Sequence, residues 1–315
     1  MKLGDATRKY VANKQATGMV FEAEAYILRA FAEKLGTNLP IQKITSDSVL
    51  DYLNGHGPVT LFWHRKHDAL SGFWRFAIQH GYTDRSPVPA RRPKKPTPFI
   101  PYLYSREELK RLLDGTSTYQ RSWLKMEPIT LRALLMLLYG AGLRTSEPLR
   151  LACSDVDLTD ATLTIRLTKF YKTRRIALNP QLQRLLDEYD KDRLRRGQRR
   201  DGSDTFFTYR NGEAVQRAVL EDAFLRLRRH VGVARENARY QPRLHDLRHT
   251  FAVHRLIAWY RTGADVQRLL PGLSTHLGHI SLSCTQRYLT MTPELLTEAS
   301  LRFEHYAGEV LHGQA

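Results

Sequence analysis

The sequence predicts a mainly α-helical protein of two domains with one small β-hairpin or sheet. Three observations carry this. Apolar residues recur at helical spacing in most segments of the chain, strand-like alternation is confined to residues 161–178, and a proline-rich stretch at 86–100 parts the two halves. That stretch, SPVPARRPKKPTPFI, holds five prolines and a basic run. Proline removes backbone donors and resists helix, so the stretch reads as a linker. The domains are drawn as a helical amino-terminal domain over 1–88, a basic linker over 89–102 and a second domain over 103–315. A chain of 315 residues fits two domains and can bury a core without disulfides.

In the first domain, Phe21, Ala25, Leu28, Phe31 and Leu35 mark one helix. Ser46 and Ser48 are candidate caps for a helix through Val49 and Leu53. A third stripe, Leu70, Phe73, Trp74 and Ala77, lies in HDALSGFWRFAIQHG and ends at Gly81. The second domain opens with Ser105, Glu107 and Glu108 ahead of a helix through Leu113. Thr130 to Gly140 is apolar nearly all round, so it reads as a buried central helix. In 161–178, Leu163, Ile165 and Leu167 share one face and Ile176 and Leu178 another, as in a hairpin with a basic connection. Helices are then predicted over 179–196, 216–231, 245–261 and 293–306, and a short one from Ser281 or Ser283. AWYRTGADVQRLLPG reads as a helix extension or a partner contact.

Charge narrows the function. Lys and Arg total 49 against 32 Asp and Glu, a net of +17. Residues 1–100 carry 15 basic and 8 acidic side chains, the remainder 34 and 24, so both halves are basic. The usual partner of such a chain is a polyanion, nucleic acid before an acidic membrane surface. Arg65 and Lys66, the linker's Arg91, Arg92, Lys94 and Lys95, and Lys172, Arg174 and Arg175 in the hairpin connection are the candidate DNA contacts. The longest apolar run, Ala133 to Leu143, is too short to cross a bilayer, and the first ten residues hold no apolar stretch of a signal peptide. Cys153 and Cys284 cannot build a disulfide framework and suit a reducing compartment.

Several chemistries find no support. There is no GxxxxGK[ST] loop, and GAGLRT at 140–145 follows a helix and lacks a third glycine. His245 and His249 have the spacing of a zinc helix, but the intervening Arg248 would repel the metal. What remains is a set of arginines, histidines, a lysine and a tyrosine. Arg144 follows the central helix at a double-glycine break, where Thr145 or Ser146 could cap a next helix; alone it reads equally as a surface arginine paired with Glu147. TKFYKTRR is a phosphate-contacting loop or a soluble turn, and His245 and Arg248 sit three residues apart at a helix start. Tyr288 lies nine residues after His279 of an LGH turn. Together these side chains suit phosphodiester transfer without metal. Two arginines clamp the nonbridging oxygens, where charge grows in the transition state. Tyrosine forms a phosphoester, a histidine in the right pKa range acts as base, and lysine protonates the poor 5′ leaving oxygen.

GLRTSE, TKFYKTR, HDLRH, LGH and the tyrosine nine residues on, in this order, resemble the catalytic domain of the tyrosine recombinase (phage integrase) family. The resemblance spans roughly 105–300, and the helical first domain is similar to the family's core-binding domain. It implies a two-domain DNA clamp that cuts and rejoins strands at specific sites through a 3′-phosphotyrosyl bond, with no cofactor. Arg144 and Arg248 would hold the phosphate and Tyr288 would attack it. Lys169 would protonate the 5′ oxygen, with Lys172 the alternative because the family's usual glycines around the lysine are missing. His245 would serve as acid–base, His279 would hydrogen-bond the phosphate, and Glu147 would support Arg144. The resemblance further implies double-stranded DNA as partner, room for accessory DNA-binding proteins, and a cytoplasmic, nucleoid-associated protein. It also implies a homotetramer on DNA, assembled through a carboxy-terminal helix with Leu295, Leu296, Ala299, Phe303 and Tyr306. The longer stretch before LGH is similar to recombinases of transposon-like mobile elements. A type IB topoisomerase-like relaxing enzyme and a non-catalytic DNA-binding accessory protein remain as alternatives.

Overall fold

A computed structural model describes residues 1–315 except 98, 120–124, 167–172, 199–200, 203, 237, 239, 280, 291–294, 302 and 305–315. The chain divides into two compact units, Met1–Phe99 and Ile100–Ala315. Most of the described residues are helical, and a three-stranded antiparallel sheet lies in the second unit.

The first unit has four helices: α1 (Leu3–Ala16), α2 (Glu22–Leu35), α3 (Ser46–Asn54) and α4 (Leu61–Gln79). Its core is aromatic. Phe31 and Phe73 meet Trp74 edge-on at 5.7 and 4.8 Å, a geometry that adds to simple burial. The buried Tyr52 hydroxyl is satisfied by the Ile27 carbonyl at 2.7 Å. The predicted stripes of α2 and α4 face this core. The structure departs from the pattern at helix starts. Helix α1 lies outside the stripes singled out, α4 begins six residues before His67, and the α3 cap is Thr45, whose hydroxyl accepts the Ser48 amide. Pro89 accepts a hydrogen bond from His67, and Arg92 pairs with Asp68, so this part of the 89–102 stretch packs on α4.

The second unit begins with α5 (Arg106–Thr118), entered through a capping box between Ser105 and Glu108. The apolar helix α6 (Pro128–Gly140) packs against α5, α7 (Pro180–Arg195) and α9 (Asp246–Arg261), which explains why it is apolar on every side. The sheet runs β1 (Val156–Asp157), β2 (Thr162–Ile165), β3 (Arg174–Ala177), with Leu163 opposite Ile176 and Ile165 opposite Arg174. The residues joining β2 to β3, with Lys169 and Lys172, lie outside those described. Helix α8 (Arg217–His230) packs on α5. AWYRTGADVQRLLPG becomes the end of α9 and the start of a separate helix, α10 (Val266–Leu277), capped by Asp265 and carrying Pro271. The short α11 (Ser283–Gln286) leads into a 3₁₀ turn, Arg287–Thr290. No full helix follows Thr145 or Ser146; Pro148–Arg150 forms a single 3₁₀ turn.

Candidate active site

The site assembles where α6, the α9 start and the α10 end converge. After α6 the chain turns at Gly142, whose φ of 62° suits glycine. A Cβ there would lie 2.4 Å from the Phe251 ring, so glycine also permits the close approach of α9. The Gly142 carbonyl accepts from Arg248 Nη1 at 2.8 Å, and Arg248 Nη2 donates to the Leu277 carbonyl. Arg144, two residues on, donates from Nη2 to the carbonyl of Gly278. Helix ends thus aim both guanidiniums.

Glu147 organises three arginines. Its Oε1 accepts from Arg144 Nη1 at 2.9 Å and Arg174 Nη1 at 3.0 Å. Its Oε2 accepts from the Arg144 amide and from Arg174 Nη2, each at 2.8 Å, and Arg248 stands 3.9 Å away. Burial alone would push the Glu147 carboxyl up, but Arg174, the Arg144 amide and Arg248 outweigh it and hold it below the ordinary range. One carboxylate against three guanidiniums leaves a local surplus of positive charge. Arg248 is 2% exposed and Arg174 9%, whereas Arg144 is 28% exposed. Burial and the neighbouring arginine lower Arg248 to about 10, so it stays charged at neutral pH. An anion reaching Arg144 meets donors already oriented in a poorly hydrated site, where charge interactions are strong.

Tyr288 sits against this cluster, 3% exposed. Its hydroxyl lies 2.9 Å from His249 Nδ1. Burial raises its pKa while the arginine charges pull the other way. The His279 ring stacks on Tyr288 at 6.1 Å and its Nδ1 is 2.7 Å from the Thr285 hydroxyl. His245 immediately precedes α9 and meets His249 edge-on at 4.9 Å. Burial and nearby arginines push both His245 and His279 down to about 4, so both rings are neutral at pH 7.

Of the residues singled out in the sequence, Arg144, His245, Arg248, His279 and Tyr288 therefore come together, while Lys169 and Lys172 fall outside the described residues. Arg65 pairs with Glu24, Lys66 is half-buried and donates to the Tyr52 carbonyl, and Arg91, Lys94 and Lys95 are exposed. Arg175 is exposed and donates to the Thr162 hydroxyl. Arg174 lies within the cluster: both its Nη groups bond Glu147 and its Nε bonds the His276 carbonyl at 2.8 Å. The signal lay in the alternation, because Arg174 shares the inward face of β3 with Ile176 and Leu178. His249 was weighed only as a zinc ligand; its place one turn after His245 puts both rings on one face of α9.

The sequence pattern of the Phage integrase family matches residues 103–294. The chain belongs to this family, the tyrosine recombinases. It is 39% identical over 216 residues to a Sinorhizobium fredii protein, y4rB, provisionally named an integrase/recombinase; the match covers 67% of this chain and 68% of that one. It is 31% identical over 243 residues to the tyrosine recombinase XerC of Oceanobacillus iheyensis, covering 76% and 72% of the two chains. Among solved structures, the fold is similar to the Tn1549 transposon integrase in complex with transposon right end DNA, with a TM-score of 0.70, 17% identity and coverage of 98% and 100%. It is also similar to a lambda integrase tetramer bound to a Holliday junction, with a TM-score of 0.66, 17% identity and coverage of 91% and 77%. This tyrosine recombinase is accordingly a DNA strand-cutting and rejoining enzyme, acting in site-specific recombination.

Proposed function

We propose that Tyr288 is the nucleophile of this recombinase and that Arg144 and Arg248 hold the scissile phosphate. The observation that supports this is one arrangement: a buried Tyr288 acted on by the charges of Arg248 and Arg144, beside the surplus positive charge around Glu147. The Tyr288 oxygen attacks phosphorus, the P–O5′ bond breaks, and a 3′-phosphotyrosyl bond forms. Lys169 gives a proton to the departing 5′ oxygen, His279 hydrogen-bonds the phosphate, and His245 serves acid–base transfer. A 5′ hydroxyl from another strand then reverses the step, so bond energy is stored rather than lost.

A core-binding domain over 1–88 and a catalytic domain over 103–315, joined by the linker over 89–102, act as a clamp on duplex DNA. Arg65, Lys66, Arg91, Arg92, Lys94, Lys95, Lys172 and Arg175 serve as backbone contacts. The protein works as a homotetramer on DNA, nucleoid-associated in the cytoplasm, with accessory DNA-binding proteins where its sites demand them. Leu295 and Glu298 tie the carboxy-terminal segment to its own core, through burial of Leu295 and a Glu298–Arg261 pair. Leu296, Leu301 and Phe303 stay exposed and are the side chains offered to a neighbouring protomer.

The deciding experiment is covalent trapping. The protein is incubated with nicked DNA fragments from the locus flanking its own gene, and denaturing gels are run for wild type and Tyr288→Phe. A protease-sensitive shifted band in wild type alone is the expected result. No band with any specifically bound fragment would overturn the reading.

A further inference from the structure

We propose that His249 is the base that takes the phenolic proton of Tyr288. The inference rests on Tyr288 being the nucleophile. His249 Nδ1 lies 2.9 Å from the Tyr288 hydroxyl, with the rings 5.6 Å apart and tilted by 53°. The charge of Arg248 acts on the same hydroxyl. With the phenol protonated and Nδ1 as the acceptor tautomer, the phenolic hydrogen points at the lone pair on His249 Nδ1. His245 stands one ring further out, against the edge of His249.

The electrostatics fit an acceptor. The charged and titratable groups facing His249 are His245 and Arg248 on α9 itself, Arg243 from the preceding loop, His279 after α10, and Tyr288. Burial, with the neighbouring His245, Arg248, Arg243 and His279, pushes the imidazole down to about 3, so it waits neutral. Burial meanwhile keeps the phenol protonated, so a proton must leave as attack begins. A bound phosphodiester offsets part of the arginine charge, and the transition state adds a further negative charge. The imidazolium is therefore favoured at the moment it forms. As the Oη–P bond forms and P–O5′ breaks, the phenolic proton passes to His249 Nδ1 and the 5′ oxygen takes a proton from Lys169. In rejoining, the imidazolium returns its proton to the departing phenolate.

The test is single-turnover adduct formation on a nicked DNA substrate by wild type, Tyr288→Phe, His249→Ala and His249→Asn. Both His249 variants should form adduct about 100-fold more slowly at neutral pH, the range of general-base effects, while keeping their affinity for the site. Asparagine keeps an acceptor near the Nδ1 position but cannot carry the proton, and it keeps the test open should alanine not fold. Free imidazole should restore the alanine variant, and more basic substituted imidazoles should restore it better. Wild-type rates in either variant, or rescue indifferent to imidazole basicity, would overturn the inference. Adduct at equal rates in wild type and His249→Ala, with none in Tyr288→Phe, sinks His249 alone. No adduct in wild type sinks Tyr288 as well.

Discussion

Replacing Glu147 with glutamine tests the arginine cluster most directly. The carboxylate is about 6% exposed and accepts two bonds from Arg144 and two from Arg174, with Arg248 at 3.9 Å. Glutamine keeps the volume but removes the charge and presents an NH₂ to a guanidinium. Removing one partner of a buried ion pair costs ~3–5 kcal/mol, and the retained acceptor oxygen places this change near the lower end. For a unit of this size, each kcal/mol moves Tm by about 2–4 °C, so the expected drop is about 6–12 °C. The shift belongs to the calorimetric transition of the Ile100–Ala315 unit. The pH dependence has a definite sign. Glu147 is held below the usual carboxyl value when folded, so its contribution is present above that value and is lost as pH falls through the folded one. The gap between wild type and Glu147→Gln should be full at pH 7 and close in acid. An unchanged Tm at pH 7, or a gap that persists unaltered into strong acid, would refute the account.

Further outcomes follow from the same geometry. Arg174→Lys keeps the charge but loses the paired bonds to Glu147, so adduct formation should fall about tenfold or more; Arg175→Ala, on the outer face, should change it little in the same gel assay. In Gly278→Ala, a Cβ at a φ of 63° would lie 2.9 Å from Arg174 Nη1 and 3.2 Å from Arg144 Nη1, so cleavage should drop while the protein still folds, as judged by circular dichroism. His245, His249 and His279 are all held below their usual value near 6.5. The unfolded chain binds protons first, so the DNA-free protein should lose thermal stability as pH falls from about 6.5 toward 4. Leu301→Glu with Phe303→Glu should leave single-site binding intact in a gel shift and impair recombination; unchanged recombination would reject that surface as the protomer contact.

The helices with wide apolar stripes were legible because burial alone dictates them: α6 is apolar all round and lies among α5, α7 and α9. The hairpin showed in its alternation, and five of the six expected catalytic residues come together in the structure. What escaped depended on contacts far apart in sequence. Helix α10 was obscured by Pro271, which sits inside the helix and removes one of its backbone donors. Arg174 resembled the solvent-facing cations beside it, and only the register of β3 turns it inward to Glu147. His249 carried no signal of its own, since its partner lies 39 residues away.

Gly278 is also where the arginines hold the backbone ahead of the tyrosine. Its carbonyl is moored to Arg144, and the preceding Leu277 carbonyl to Arg248. Nine residues, 279–287, separate it from Tyr288, a span of ten Cα–Cα steps. Fully stretched, such a tether reaches roughly 33–36 Å. The mooring thus splits two properties that a phosphoryl-transfer enzyme usually couples. The anion cradle is set by residues up to Gly278, and the delivery of the nucleophile by those after it. Changes in the length or packing of residues 279–287 can alter where the hydroxyl arrives while every guanidinium keeps its aim.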